Sequence, residues 1–145
     1  MKVIALDIDG VLNTMQTIRE NGYDALDRSM LIRFVAIVKA TDAKIVLSTS
    51  WRFADCLKEV INNHFAEFGI ADRIIGETPD FCMEPRAKEI KAWLDEHPDV
   101  DKFAIIDDDE DAGEDDIFQQ SFFKTDPTVG LTTDIAIAII KHLNG

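Results

Sequence analysis

Three short runs, KVIAL (residues 2–6), KIVLS (44–48) and KFAIID (102–107), are apolar without alternating, and each gives way abruptly to polar residues. A strand apolar at every position has both faces covered, as in a parallel sheet held between helix layers. RIIGE (73–77) and SFFKTD (121–126) read as two further short strands. The segments between them carry helical periodicity. DRSMLIRFVAIVKA places Met30, Leu31, Phe34, Val35 and Val38 on one face, with Asp27 as N-cap. DCLKEVINNHFAEFG places Leu57, Val60, Ile61, His64, Phe65 and Phe68 at helical spacing, with Gly69 as a stop. PRAKEIKAWLDEH (85–97) tolerates Pro85 in its first turn, and TDIAIAIIKHL closes the chain behind a Thr132 or Thr133 cap.

Residues 13–26 show no clear period and contain Asn21-Gly22, a turn signal, so a loop or small flap that could serve as a lid is expected there. The order of elements predicts an α/β fold of three layers, Rossmann-like, with a mostly parallel sheet, helices on both faces and right-handed crossovers. The 145 residues make one domain, with no repeat, linker or room for a large cap domain.

Charge narrows the function classes. The net charge of −13 leaves no basic face for non-specific duplex DNA binding. Eight of the acids fall in DDDEDAGEDD (107–116), and the rest of the chain carries only −5. A calcium loop of the EF-hand type does not fit: its sixth and twelfth places, counted from Asp107, hold Ala112 and Phe118, and counted from Asp108 the twelfth is Gln119. Glu114 to Asp116 read as a solvated loop. No run approaches the ~20 apolar residues of a membrane span. Asp7 cuts short any secretory leader, so a cytoplasmic location is expected. Cys56 and Cys82 have neither close spacing nor a histidine partner and read as incidental thiols. Trp51, Trp93 and His64 read as packing residues.

In an open α/β sheet, ligands bind beyond the carboxyl ends of the strands, where strand order reverses. Past the first strand stand Asp7 and Asp9. Past the second stand Ser48, Thr49, Ser50 and Arg52, the last either a site cation or a surface ion-pair residue. Past the fourth stand Asp107, Asp108 and Asp109, and Arg86 and Lys88 open a helix. Clustered carboxylates favour a cation among them, and oxygen-only ligands suit Mg²⁺. Aspartate can attack a phosphoryl group to form an aspartyl-phosphate, and a second carboxyl can protonate the leaving oxygen and then activate water. Asp7 and Asp9 share a face if the chain stays extended, with Ile8 turned into the packed layer.

These residues carry a resemblance. DIDGVLN resembles motif I of the haloacid dehalogenase (HAD) superfamily of phosphohydrolases, IVLSTS resembles motif II, and AIIDDD resembles motif IV. LDIDGVLN, LSTSWR, EIKAWL, IIDDD and TDPTVGLT are together similar to a small capless HAD subgroup that includes domains linked with RNA repair. The resemblance implies Asp7 as nucleophile and metal ligand. It implies Asp9 as general acid/base with its backbone carbonyl on the metal, and Asp108 as an acidic metal ligand with Asp107 or Asp109 in support. Ser48, with backbone N–H groups around Thr49, would bind phosphoryl oxygens. The cation of motif III would be Arg86 or Lys88. The expected activity is a Mg²⁺-dependent phosphomonoesterase. Its expected substrate is a nucleotide or nucleic-acid terminal phosphate, with a phosphorylated small molecule, a receiver-like signalling role and a non-catalytic binding module as alternatives.

Overall fold

The computed structural model describes residues 1–145. Five strands, β1 (Lys2–Leu6), β2 (Lys44–Leu47), β3 (Ile74–Glu77), β4 (Lys102–Asp107) and β5 (Phe122–Lys124), form one all-parallel sheet in the order β3-β2-β1-β4-β5. The helices are α1 (Met15–Asn21), α2 (Arg28–Thr41), α3 (Asp55–Glu67), α4 (Arg86–Asp95) and α5 (Thr133–Asn144). No separate cap domain is present, and no helix is long and apolar enough to cross a membrane.

The unbroken apolar character of the strands has the predicted cause. Ile4 and Leu6 of β1, Ile45 and Leu47 of β2, and Ala104 and Ile106 of β4 point into one core with α2, α3 and α5. Their alternates, Val3, Ala5, Val46 and Ile105, face the other way, where Ala87, Ile90 and Trp93 of α4 cover them. Burial of a large apolar side chain contributes about 1.5–3 kcal/mol. Phe34 and Phe65, both fully buried, also stack with ring centroids 5.6 Å apart, which ties α2 to α3. Asp27 caps α2 by accepting from the N–H groups of Ser29 and Met30, and Thr132 caps α5.

From β1 the chain steps outward to β2 and β3, then returns beneath the sheet through α4 to lay β4 on the other side of β1. The strand order therefore reverses between β1 and β4, the crevice where α/β sheets bind ligands.

One segment differs from expectation. Residues 15–21 are helical, held by a capping box in which the Thr14 hydroxyl accepts from Thr17 N–H and the Thr17 hydroxyl accepts from Thr14 N–H. Only Thr17 of this helix is buried, so no apolar period betrays it. In the acidic stretch Glu114 and Asp115 form a solvent-facing loop, as expected, between two short turns. Single turns of 3₁₀ helix at Glu110–Gly113 and Asp116–Phe118 are capped by the Asp109 and Asp115 side chains, and Ala112 and Phe118 are buried beneath them.

Candidate active site

The site is built from strand register. Leu6 of β1 lies opposite Ile106 of β4, and Asp7 N–H donates to the Ile106 carbonyl at 3.0 Å. Asp7 and Asp107 are thus the next residues on two neighbouring parallel strands. Both continue the face of Ala5 and Ile105, which is the face covered by α4. The first residue of that helix is Arg86, and its Nη1 sits 3.2 Å from Asp7 Oδ1 and 3.2 Å from Asp107 Oδ2. Carboxylate oxygens of Asp7, Asp107 and Asp108 all fall within 4.8 Å of one another, close enough to share one cation.

Asp7 and Asp107 are almost wholly withdrawn from solvent, at 6 % and 0 % exposure. Burial pushes both carboxyls well above the usual carboxylate range, Asp107 further because the neighbouring Asp7 adds like charge. Arg86 opposes this rise, and Ile8 N–H at 2.9 Å and Asp109 N–H at 3.0 Å also favour the ionised forms. Arg86 is itself partly buried, which works against its charge, but the two acids hold it firmly protonated.

Gly10 lies against this cluster. Its φ is +81°, and a Cβ there would fall 2.2 Å from Asp108 Oδ2, so only glycine lets the backbone pass. The Gly10 carbonyl accepts from the buried Thr125 hydroxyl at 2.7 Å, and Gly10 N–H donates to Asn13 Oδ1 at 3.1 Å. Asn13, fully buried, also donates from Nδ2 to Asp9 Oδ1 at 3.0 Å. Asn13 and Thr125 were not singled out from sequence. Both stand inside the quoted strings DIDGVLN and TDPTVGLT, which is the one signal that could have found them.

Asp9 lines the same pocket as Asp7, but not through an extended chain. The N–H groups of Val11 and Leu12 both donate to the Ile8 carbonyl, so the backbone turns at once after β1, and the Asp9 carboxylate is aimed by Asn13. Its side chain stands outside the three-acid cluster, and the third carboxylate there is Asp107, expected only in support.

The pocket holds about 190 Å³ and has no apolar wall: Asp7, Asp9, Ser50, Arg86, Asp107, Asp108, Asp109 and Asp111 line it. No residue of 13–26 contributes. Ser48 and Thr49 follow β2 directly and are fully buried. The Thr49 hydroxyl caps the turn by accepting from Trp51 N–H at 3.2 Å, whereas Ser48 Oγ has no hydrogen-bond partner within the protein. Lys88 is elsewhere: its exposed ammonium pairs at 2.7 Å with Glu84, in the bend that precedes α4. Arg52 is neither a site cation nor a surface residue, but is buried and paired with Glu89. Trp51 and Trp93 are buried, as expected, and His64 is half-buried.

A family model described as "HAD domain in Swiss Army Knife RNA repair proteins" matches residues 3–136. The chain belongs to this family of HAD domains, and so to HAD-type phosphohydrolases in general, and it carries the acidic cluster at the reversal of strand order. No curated protein and no solved structure matches it.

Proposed function

We propose that this HAD-family domain is a Mg²⁺-dependent phosphomonoesterase that acts through an aspartyl-phosphate on Asp7. The observation that carries the reading is the convergence of Asp7, Asp107, Asp108 and Arg86 on one small polar pocket. Three carboxylates against one guanidinium leave an excess of negative charge, and an all-oxygen donor set suits Mg²⁺. Asp7, Asp107 and Asp108 would hold the ion, with the Asp9 backbone carbonyl as a further oxygen. Bound there, Mg²⁺ supplies positive charge that offsets the phosphoryl oxygens during attack by an anion.

The protein's own groups divide the remaining work. An Asp7 carboxylate oxygen forms the new bond to phosphorus while the ester P–O bond breaks. Asp9, held by Asn13, gives its proton to the departing oxygen. It then takes a proton from the water that attacks the aspartyl-phosphate, which frees orthophosphate and restores Asp7. Arg86 beside Asp7 offers N–H donors to the equatorial oxygens. The unpartnered Ser48 Oγ and the backbone around Thr49 would serve the same oxygens from behind Ser50, the residue of that turn that lines the pocket.

The pocket has no cap domain over it, which favours substrates that present a phosphate at the end of a larger body. The family's description points to RNA repair. A nucleotide or nucleic-acid terminal phosphate is therefore the substrate we assign, and the charge of −13 fits recognition of an end better than grip on a long polyanion.

The test is release of orthophosphate, with and without Mg²⁺, from p-nitrophenyl phosphate, nucleoside 3′- and 5′-monophosphates, 3′-phosphorylated oligonucleotides and sugar phosphates. Metal-dependent turnover lost in Asp7→Asn, and fastest on nucleotides or oligonucleotide ends, is expected. Preference for sugar phosphates would replace the substrate assignment, and a folded, Mg²⁺-binding protein that turns over nothing would overturn the activity.

A further inference from the structure

The site residues do not hold themselves in place, and the molecule has one buried device at their back. Arg52 is 4 % exposed, and its guanidinium uses every one of its N–H directions. Nε donates to the Thr78 carbonyl at 3.1 Å. Nη1 donates to the carbonyls of Ser48 at 3.4 Å and Thr49 at 2.8 Å. Nη2 donates to the Pro79 carbonyl at 3.3 Å and to Glu89 Oε1 at 3.2 Å. The other Glu89 oxygen accepts from Phe81 N–H at 2.9 Å.

The carbonyls held this way are not in the core. Ser48 and Thr49 follow β2, and Thr78 and Pro79 follow β3, so all four lie at the carboxyl edge of the sheet, where the pocket is. Glu89 stands three residues after Arg86, on the same side of α4. One ion pair therefore joins the turn behind Ser48 to the helix end that carries Arg86. Ser48 Oγ makes no bond of its own within the protein, so its aim is set by its backbone, whose N–H donates to the Leu6 carbonyl at 2.9 Å and whose carbonyl accepts from Arg52.

We propose that Arg52 and Glu89 are a positioning pair that fixes the Ser48–Thr49 turn relative to Arg86 and so sets the affinity of the site for the phosphoryl group. This rests on the phosphatase reading above. A buried ion pair gives little net stability over packed apolar groups, but its directed bonds fix positions. The metal ligands Asp7, Asp107 and Asp108 sit on other strands and do not touch the pair, so phosphate binding and metal binding should respond differently to its loss.

Arg52→Lys keeps the charge but brings at most three N–H donors from one nitrogen, too few for five contacts. Glu89→Gln keeps the shape and removes the charge. Each is compared with the wild type for KM on p-nitrophenyl phosphate, for inhibition by orthophosphate, for Mg²⁺ affinity by calorimetry without substrate, and for melting temperature. Arg52→Lys is expected to raise KM and the orthophosphate inhibition constant about tenfold, a modest share of what a 1 Å misplacement can cost, with Mg²⁺ affinity within about twofold. Glu89→Gln moves the same constants in the same direction by less, and it decides the matter if Arg52→Lys does not fold. Wild-type constants in both variants would overturn the proposal while leaving the phosphatase intact, as would a parallel loss of Mg²⁺ affinity and melting temperature. A wild type that neither turns over nor binds orthophosphate would remove the phosphatase reading itself.

Discussion

A single nitrogen of Arg86 stands 3.2 Å from Asp7 and 3.2 Å from Asp107, and so bridges the carboxyl ends of two strands that are neighbours in the sheet. Lys88, on the same helix, pairs with Glu84 in solvent instead. Arg86→Met is expected to lower kcat/KM by roughly 10²–10³, the scale for losing a donor aimed at developing charge, while Lys88→Ala stays within about twofold. Steady-state kinetics on p-nitrophenyl phosphate with Mg²⁺ separates the two. A larger loss in Lys88→Ala would reassign the motif III cation.

The raised carboxyls of Asp7 and Asp107 make the metal-free protein sensitive to alkali. Their folded-state values lie above the ordinary carboxylate value of about 3.9, so their contribution to stability is whole below about pH 4 and is lost as pH rises through the raised values. Each unit of the rise costs about 1.4 kcal/mol once both forms are ionised. Asp107→Asn carries no such charge. Without metal it should match the wild type near pH 4 and exceed it in melting temperature at pH 8. Equal pH profiles for the two proteins would contradict this.

Mg²⁺ should reverse the same loss. An ion that binds only the folded state at a concentration 100 times its Kd adds about 2.7 kcal/mol. The gain should be larger at pH 8 than at pH 5, because protons compete for Asp7 and Asp107. Differential scanning calorimetry at the two pH values measures it, and a shift independent of pH would place the ion away from these acids.

Gly10 admits no side chain, since its φ is +81° and a Cβ would enter the Asp108 carboxylate. Gly10→Ala is expected to cost about 1–3 kcal/mol in stability, the range for backbone strain of this kind, and to weaken Mg²⁺ binding by displacing Asp108. Urea titration and metal calorimetry on one sample report both. A stable variant with full Mg²⁺ affinity would show that Asp108 is not held as described.

The strands β1, β2 and β4 were legible because a parallel strand buried on both faces leaves no polar position to alternate with. The helices α2 and α3 were legible from one apolar stripe each, and α4 and α5 from Pro85 and a threonine at their starts; α1 was not, since a capping box rather than an apolar face holds it. Asp7, Asp9 and Asp108 could be named from order along the chain. Which of Asp107, Asp108 and Asp109 stands beside Asp7 could not, because adjacent acids point to different sides and the choice depends on the register of β4 against β1. The choice between Arg86 and Lys88 depends instead on which of them α4 turns toward the strand ends: Arg86 meets Asp7 and Asp107, and Lys88 meets Glu84. Arg52 was ambiguous for another reason: an arginine after a strand looks the same in sequence whether it faces a ligand or five partners within the protein.

The pairing of β1 with β4 has a kinetic consequence. Asp7 and Asp107 are 100 residues apart in the chain, and α1, α2, β2, α3, β3 and α4 must be passed before β4 can dock. Contacts of such long range form slowly, after the cost of closing the loop has been met. The pocket is complete only once β4 has docked on β1. A ligand that depends on it would leave the refolding rate nearly unchanged and act on the unfolding limb of a chevron plot, so that occupancy lengthens the lifetime of the native state rather than hastening its arrival.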